Sequence, residues 1–390
     1  MVHLASLIAT TAWGLSAAAA CVSCKGENAV SAKCPSREAA HYRDFFYVGG
    51  RKVPSPAGGD ITADQLYVEK LTPAGGDPRH GDAKPIIFVH GGGGSGTSWL
   101  NTPDGRPGWA SNFLNKGHTV YIVDYAAVGR SSANNIEDYT MVSSMSTLAV
   151  EMGFTAVAAF NTYPQSQLHT QWPGTGRVGD PTFDQFQKAF IPINMNFANF
   201  ELAMRASGCE LLRLIGEPAY VISHSMGARA PLVMSNDCPE RMAGNINIEG
   251  TTIPFWSYGW GLGGSRTNPW GLALTPLDYD PPVSDPSELQ VEAVGNETMA
   301  LRNCYRQKEP ARQLPKVASV PYVQITGEAS VHVTYDHCTV DYLRQVGGDP
   351  EYIKLGDIGI KGNGHFMHLE KNSDEIADVV SDWIKRTEAK

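Results

Sequence analysis

The chain has 390 residues, a formal net charge of −9 and an apolar fraction of 42 %. That apolar share is enough for a large buried core, in one large domain or a few smaller ones. The acidic balance leaves no basic footprint, which argues against nucleic acid and anionic membrane surfaces as partners.

Leu4 to Ala20 is apolar or small throughout and carries no charge. It ends in four alanines, which offer an A-x-A cleavage site before Cys21. Residues 1–20 are therefore expected to be a signal peptide and the protein to be secreted. The run is at the short end for crossing a bilayer, and no second stretch of spanning length follows. Secretion permits disulfides. The seven cysteines are Cys21, Cys24, Cys34, Cys209, Cys238, Cys304 and Cys338. Cys21-Val-Ser-Cys24 has no partner pair, so neither a zinc site nor a redox motif is read from it. Residues 21–43 read as an irregular arm tied down by cysteines.

From Asp44 onward, strand-like and helix-like segments alternate. Asp44–Lys52 and Gln65–Pro73 read as two early strands. Short apolar runs follow at Pro85–His90, His118–Asp124, Pro218–Ser223, Gly244–Glu249, Pro321–Thr326 and Glu351–Leu355. Runs of this kind suit strands buried on both faces. Helical stretches are expected at Ser98–Asn115, Phe197–Ile215, Gly227–Met234 and Asp374–Lys385. The alternation predicts a mostly parallel sheet with helices on both faces. Two connections, about 132–197 and 252–318, are too long for simple crossovers and read as cap insertions. The second carries Phe255, Trp256 and Trp260, expected in part to line a pocket mouth. Cys304 and Cys338 flank the seventh strand, and Cys209 and Cys238 lie before the Pro218–Ser223 strand and after the helix that follows it; each pair is expected to join. Asn296-Glu297-Thr298 is a glycosylation sequon.

Three motifs carry chemistry. Ser223-His224-Ser225-Met226-Gly227 lies between a buried strand and a helix. A sharp turn there lifts a serine hydroxyl clear of the backbone as a nucleophile, and small neighbours let strand and helix approach. Ser223 replaces the usual first glycine. His90-Gly91-Gly92-Gly93-Gly94-Ser95-Gly96 follows the third strand. It lacks the Gly-Lys-Ser/Thr ending of a phosphate loop. Its backbone N–H groups, Gly93 foremost, pair with that of Met226 as donors to an oxyanion. Gly364-His365 precedes the last helix, where an imidazole can take the serine proton; His368 reads as a packing residue. The supporting acid is less direct. Gly327-Glu328-Ala329-Ser330 has serine where an acid usually stands, whereas Asn247-Ile248-Glu249 ends the preceding strand on a carboxylate. Glu249 is favoured over Glu328.

The segments FFYVGG, QLYVE, VHGGGGSGTSW, YIVDYAAVGRSS, SHSMG, NIEG and GHFMHLEKNS together resemble the α/β-hydrolases over nearly the whole chain after residue 20. More narrowly they resemble a secreted serine esterase and lactonase group whose triad acid follows the sixth strand. The resemblance implies an eight-stranded α/β-hydrolase fold with Ser225, Glu249 and His365 as triad. It also implies a small, hydrophobic ester or lactone substrate, and neither metal nor organic cofactor. A bacterial member of the group carries adjacent cysteines where Gly93 and Gly94 stand here. Amidase or peptidase activity, and a non-catalytic ligand receptor on the same fold, stay open at this point.

Overall fold

The computed structural model describes residues 24, 31–75, 83–259 and 262–390. The expected signal peptide lies outside them, as do Cys21 and Trp260.

Eight strands form one sheet: β1 (His41–Pro54), β2 (Asp60–Pro73), β3 (Ile86–Val89), β4 (Val120–Asp124), β5 (Ala219–His224), β6 (Met242–Ile248), β7 (Tyr322–Thr326) and β8 (Glu351–Lys354). Their order is β1-β2-β4-β3-β5-β6-β7-β8. β1 and β2 run antiparallel to each other and β2 to β4; every pairing from β4 to β8 is parallel. Each strand anticipated from sequence is present, within a few residues at its ends.

The apolar runs explain the layering. Ile86, Phe88, Ile122, Tyr220, Ile222 and Ile246 point to one face, while their neighbours Ile87, Val89, Tyr121, Val123 and Val221 point to the other. A central strand covered on both sides has no polar face to show. On the first face lie α1 (Trp109–Asn115) and, further along the chain, the long C-terminal helix Ser373–Glu388, whose Ile376, Val380 and Trp383 enter that core. On the other lies a continuous helical stretch, α2, built from Phe197–Ala203, Met204–Gly208 and Cys209–Ile215. Its middle segment is a π-turn, which widens the helix by one residue. α3 (Arg229–Asp237) packs beside it. Truncating a fully buried ring such as Phe88 would remove about 3–5 kcal/mol.

Cys209 and Cys238 join α2 to the end of α3, and Cys304 joins Cys338; both bridges close, as does a third between Cys24 and Cys34. Peptide mapping without reduction is expected to recover these three linked pairs. Replacing Cys209 and Cys238 together by alanine is expected to cost about 3–4 kcal/mol, from the loop length it releases, read as a lower melting temperature.

The two long connections behave differently. The first carries the helix Pro181–Lys188, and in the second two short hairpins pair Trp256–Tyr258 with Gly264–Arg266 and Val291–Val294 with Cys304–Gln307. Phe255 is buried in the main core, edge-on to Tyr342, and Trp256 stacks on Tyr305. These rings do not line the cleft described below. The reading of Phe255 and Trp256 as pocket residues is therefore corrected: their apolar area is spent on joining the second connection to the domain. Asn296 is exposed between the hairpin strands Val291–Val294 and Cys304–Gln307.

Candidate active site

β5 ends at His224, and Ser225 follows with φ +52°. A non-glycine residue in the left-handed region costs on the order of 1–3 kcal/mol and persists only where its surroundings enforce it. Here the enforcement is visible. The Ser225 carbonyl accepts from Thr251 N–H at 3.2 Å, and a Cβ on Gly227 would lie 2.4 Å from the His90 carbonyl. Glycine is obligatory at 227 because strand and helix touch there. At 223 a serine fits, fully buried.

Glu249 follows β6 in the same conformation, φ +49°. Its carboxylate is fully buried and carries three donors. Oε1 accepts from Gly327 N–H at 2.7 Å, and Oε2 accepts from the Ser330 hydroxyl at 2.6 Å. His365 Nδ1 lies 2.7 Å from Oε2. Ser330, which occupies the usual acid position after β7, thus serves as a donor to the carboxylate that β6 supplies. Glu328 points elsewhere, to Lys361 and to Gly362 N–H. Burial, and then the charge of Asp336, pushes the Glu249 carboxyl up; burial pushes the His365 imidazole down.

The His365 loop is braced by a second buried carboxylate. Glu370 accepts from Gly364 N–H, from Asn363 Nδ2 and from His169 Nε2. His224 Nε2 donates to the His365 carbonyl at 2.9 Å, so the histidine inside the serine motif anchors the backbone of the candidate base. Phe154 from the first connection stacks over the His365 ring at 5.3 Å. His368 is buried and packs on Trp99 and His224, with neither ring nitrogen hydrogen-bonded among the described residues.

The glycine loop is held at both ends. Asp124, at the end of β4, accepts from Gly96 N–H at 2.6 Å and is fixed by Arg130 Nε at 2.7 Å. Gly93 adopts φ +73°, and its carbonyl accepts from Ile191 N–H of the first connection at 2.8 Å. A Cβ at Gly92 would overlap the Met226 sulfur, which sets this loop directly against the residue after Ser225. A cleft of about 300 Å³ opens here. Its floor is Gly91–Gly94 and His224. One wall is aromatic, from Phe186, Phe190 and Phe366; the opposite wall, from Ser95 to Pro103, is rich in hydroxyls.

Two groups of side chains offer donor atoms at metal-like spacing among the described residues. One is Glu249, His332 and His365, within 4.8 Å of one another. Glu249 is engaged by His365 and Ser330, and His332 Nδ1 by Asp336. The other is Cys304, His337 and Cys338, whose sulfurs are closed in a disulfide.

The match to known proteins follows from this geometry. Residues 86–379 match the model of the alpha/beta hydrolase family. The chain belongs to the alpha/beta hydrolase family. It is 37 % identical over 357 residues, 90 % of this chain and 92 % of the relative, to a probable secreted lipase, phiG, of a fungal species (strain ATCC 74256). Among solved structures, a bacterial esterase determined at atomic resolution aligns with TM-score 0.56 and 21 % identity, over 90 % of this chain and 98 % of that one. That likeness shows the hydrolase fold. Among the described residues, no helix is long and apolar enough to cross a membrane.

Sequence reasoning missed the Ser330 donor, Phe154 and the aromatic wall of this hydrolase. The signal available for part of that wall is the i, i+3 step from Phe183 to Phe186 on the helix Pro181–Lys188, with Phe190 following two residues beyond its end. The buried histidines also predict a pH dependence. His224, His365 and His368 all have pKa values below 6.5, chiefly through burial. Below pH 6.5 the unfolded chain binds protons that the folded one refuses, so stability falls as pH falls, at up to about 1.4 kcal/mol per pH unit for each group. Melting temperature is expected to drop from pH 7 to pH 5, and less steeply in His368→Phe.

Proposed function

We propose that this protein is a secreted serine hydrolase that cleaves a carboxylic ester or lactone through an acyl-enzyme on Ser225. The observation that carries the reading is the 2.7 Å contact between His365 Nδ1 and buried Glu249, with a serine held in a strained turn directly after His224, whose ring packs on His365. In this reading His365 Nε2 takes the Ser225 proton as Oγ attacks the carbonyl carbon. The N–H groups of Gly93 and Met226 hold the oxyanion; losing one such donor costs about 100- to 1000-fold in kcat. Glu249 keeps the His365 proton on Nδ1 and stabilises the imidazolium. The alcohol leaves with the proton from Nε2, and water then enters by the same steps to release the acid.

The aromatic wall of Phe186, Phe190 and Phe366 supports a hydrophobic substrate. The likeness to a probable secreted lipase and the three disulfides support ester chemistry outside the cell. Matched nitrophenyl ester, lactone and nitroanilide substrates test the reading. Turnover of the ester or lactone well above the anilide is expected. Faster cleavage of the anilide would make the protein an amidase, and no turnover of any would leave a binding protein.

A further inference from the structure

Behind the candidate acid lies a second buried pair that the mechanism above does not use. His332 Nδ1 faces Asp336 Oδ1 at 2.9 Å. Asp336 also accepts from Gln324 Nε2 at 2.8 Å and from Thr326 Oγ1 at 2.5 Å, so it is a fully donated carboxylate with no exposure. The His332 ring lies flat on His365, with centroids 4.8 Å apart and planes 10° apart. Phe154 covers His365 as well, at 5.3 Å. Ring stacking thus sets the plane of His365, while Glu249 sets its direction within that plane.

Resting on the serine-hydrolase reading, we propose that His332 and Asp336 are positioning residues for His365, a stacked ring backed by a second carboxylate that together support it as the base. The electrostatics give the sign. A fixed anion near a base favours its protonated form, and a low-dielectric interior transmits that charge further than water would. Two buried carboxylates, Glu249 and Asp336, then favour proton transfer from Ser225 to His365, against the burial that opposes it. Of the other ionisable groups around the pair, Glu370 pushes the Glu249 carboxyl up further, and a charge on His332 itself opposes protonation of His365. Tyr335, Tyr163 and Tyr352 all have hydroxyl pKa values raised by burial and stay neutral. On the far side of His365, burial keeps His224 and His368 neutral as well. Glu370 is spent on the His365 loop and His169, and Arg302 on Glu297. The groups that set the local charge are therefore Glu249, Asp336, Glu370, His332 and His365.

The isosteric Asp336→Asn removes the charge and keeps acceptor contacts for Gln324 and Thr326. His332→Phe keeps a flat ring on His365 and breaks the link to Asp336. For each, kcat and KM are measured against pH on a nitrophenyl ester, beside wild type and Ser225→Ala, with melting temperature as the folding control. Both variants are expected to lose about tenfold in kcat with KM changed less than about twofold, the signature of an interaction realised in the transition state. In Asp336→Asn the acid limb of kcat/KM is expected to move to lower pH, by about half a unit or more. A purely structural role would lower activity without moving that limb. An unmoved limb in folded Asp336→Asn, or a shift to higher pH there, overturns the proposal, as does unchanged kcat in folded His332→Phe. If one variant fails to fold, the other decides. Full activity in Ser225→Ala would instead sink the underlying reading, a result independent of the limb.

Discussion

Replacing Ser225 by alanine is expected to lower kcat on a nitrophenyl ester by about 10⁶-fold, the scale on which loss of a serine nucleophile acts in other hydrolases. Ser223→Ala is expected to keep near-normal turnover. The two serines are two residues apart, and the backbone separates their fates. Ser223 closes β5 and is fully buried, with a hydroxyl that has no partner among the described residues. Removing an unsatisfied buried hydroxyl costs little and can stabilise. Ser225 is half-buried and sits at the positive-φ turn beside the glycine loop. Steady-state kinetics on both folded variants check the expectation; a collapse in Ser223→Ala with activity retained in Ser225→Ala would reverse it.

Glu249→Gln is expected to lower kcat by about 10⁴-fold while substrate binding changes far less. The carboxylate is acceptor-only and receives Gly327 N–H, the Ser330 hydroxyl and His365 Nδ1. An amide has one acceptor oxygen. Its NH₂ must face either the Gly327 N–H or Ser330 and His365 together, and toward His365 it forces the proton onto the wrong ring nitrogen. Glu328→Gln is expected to change kcat less than about threefold, because Glu328 bonds Lys361 and Gly362 at the half-buried margin of the loop. Near-normal kcat in Glu249→Gln with collapse in Glu328→Gln would move the acid to the end of β7.

The strands are legible because buried parallel strands are written as short apolar runs, such as Ile86–Val89 and Ala219–Ile222, bounded by turn residues. Ser225, Glu249 and His365 stand out for a related reason: each directly follows a strand or a glycine-marked loop, so its position in the chain order says where it lies. The residues that brace them do not. Ser330, His332 and Asp336 follow β7 in a segment whose pattern is that of any helix start, and only the packing of β6 against β7 puts them near Glu249. The aromatic cluster of the second connection misleads because ring content signals burial, not which surface the rings bury against. Phe255 turns inward to Tyr342, while the cleft draws its rings from Phe186, Phe190 and Phe366.

The most direct test of the account is the site of covalent capture. Wild-type protein treated with a fluorophosphonate probe is digested, and the modified peptide is sequenced by tandem mass spectrometry. The account predicts a single adduct on Ser225, absent when the protein is first unfolded. An adduct on Ser223 or on a serine of the glycine loop, or no adduct on a protein that turns over esters, would contradict it.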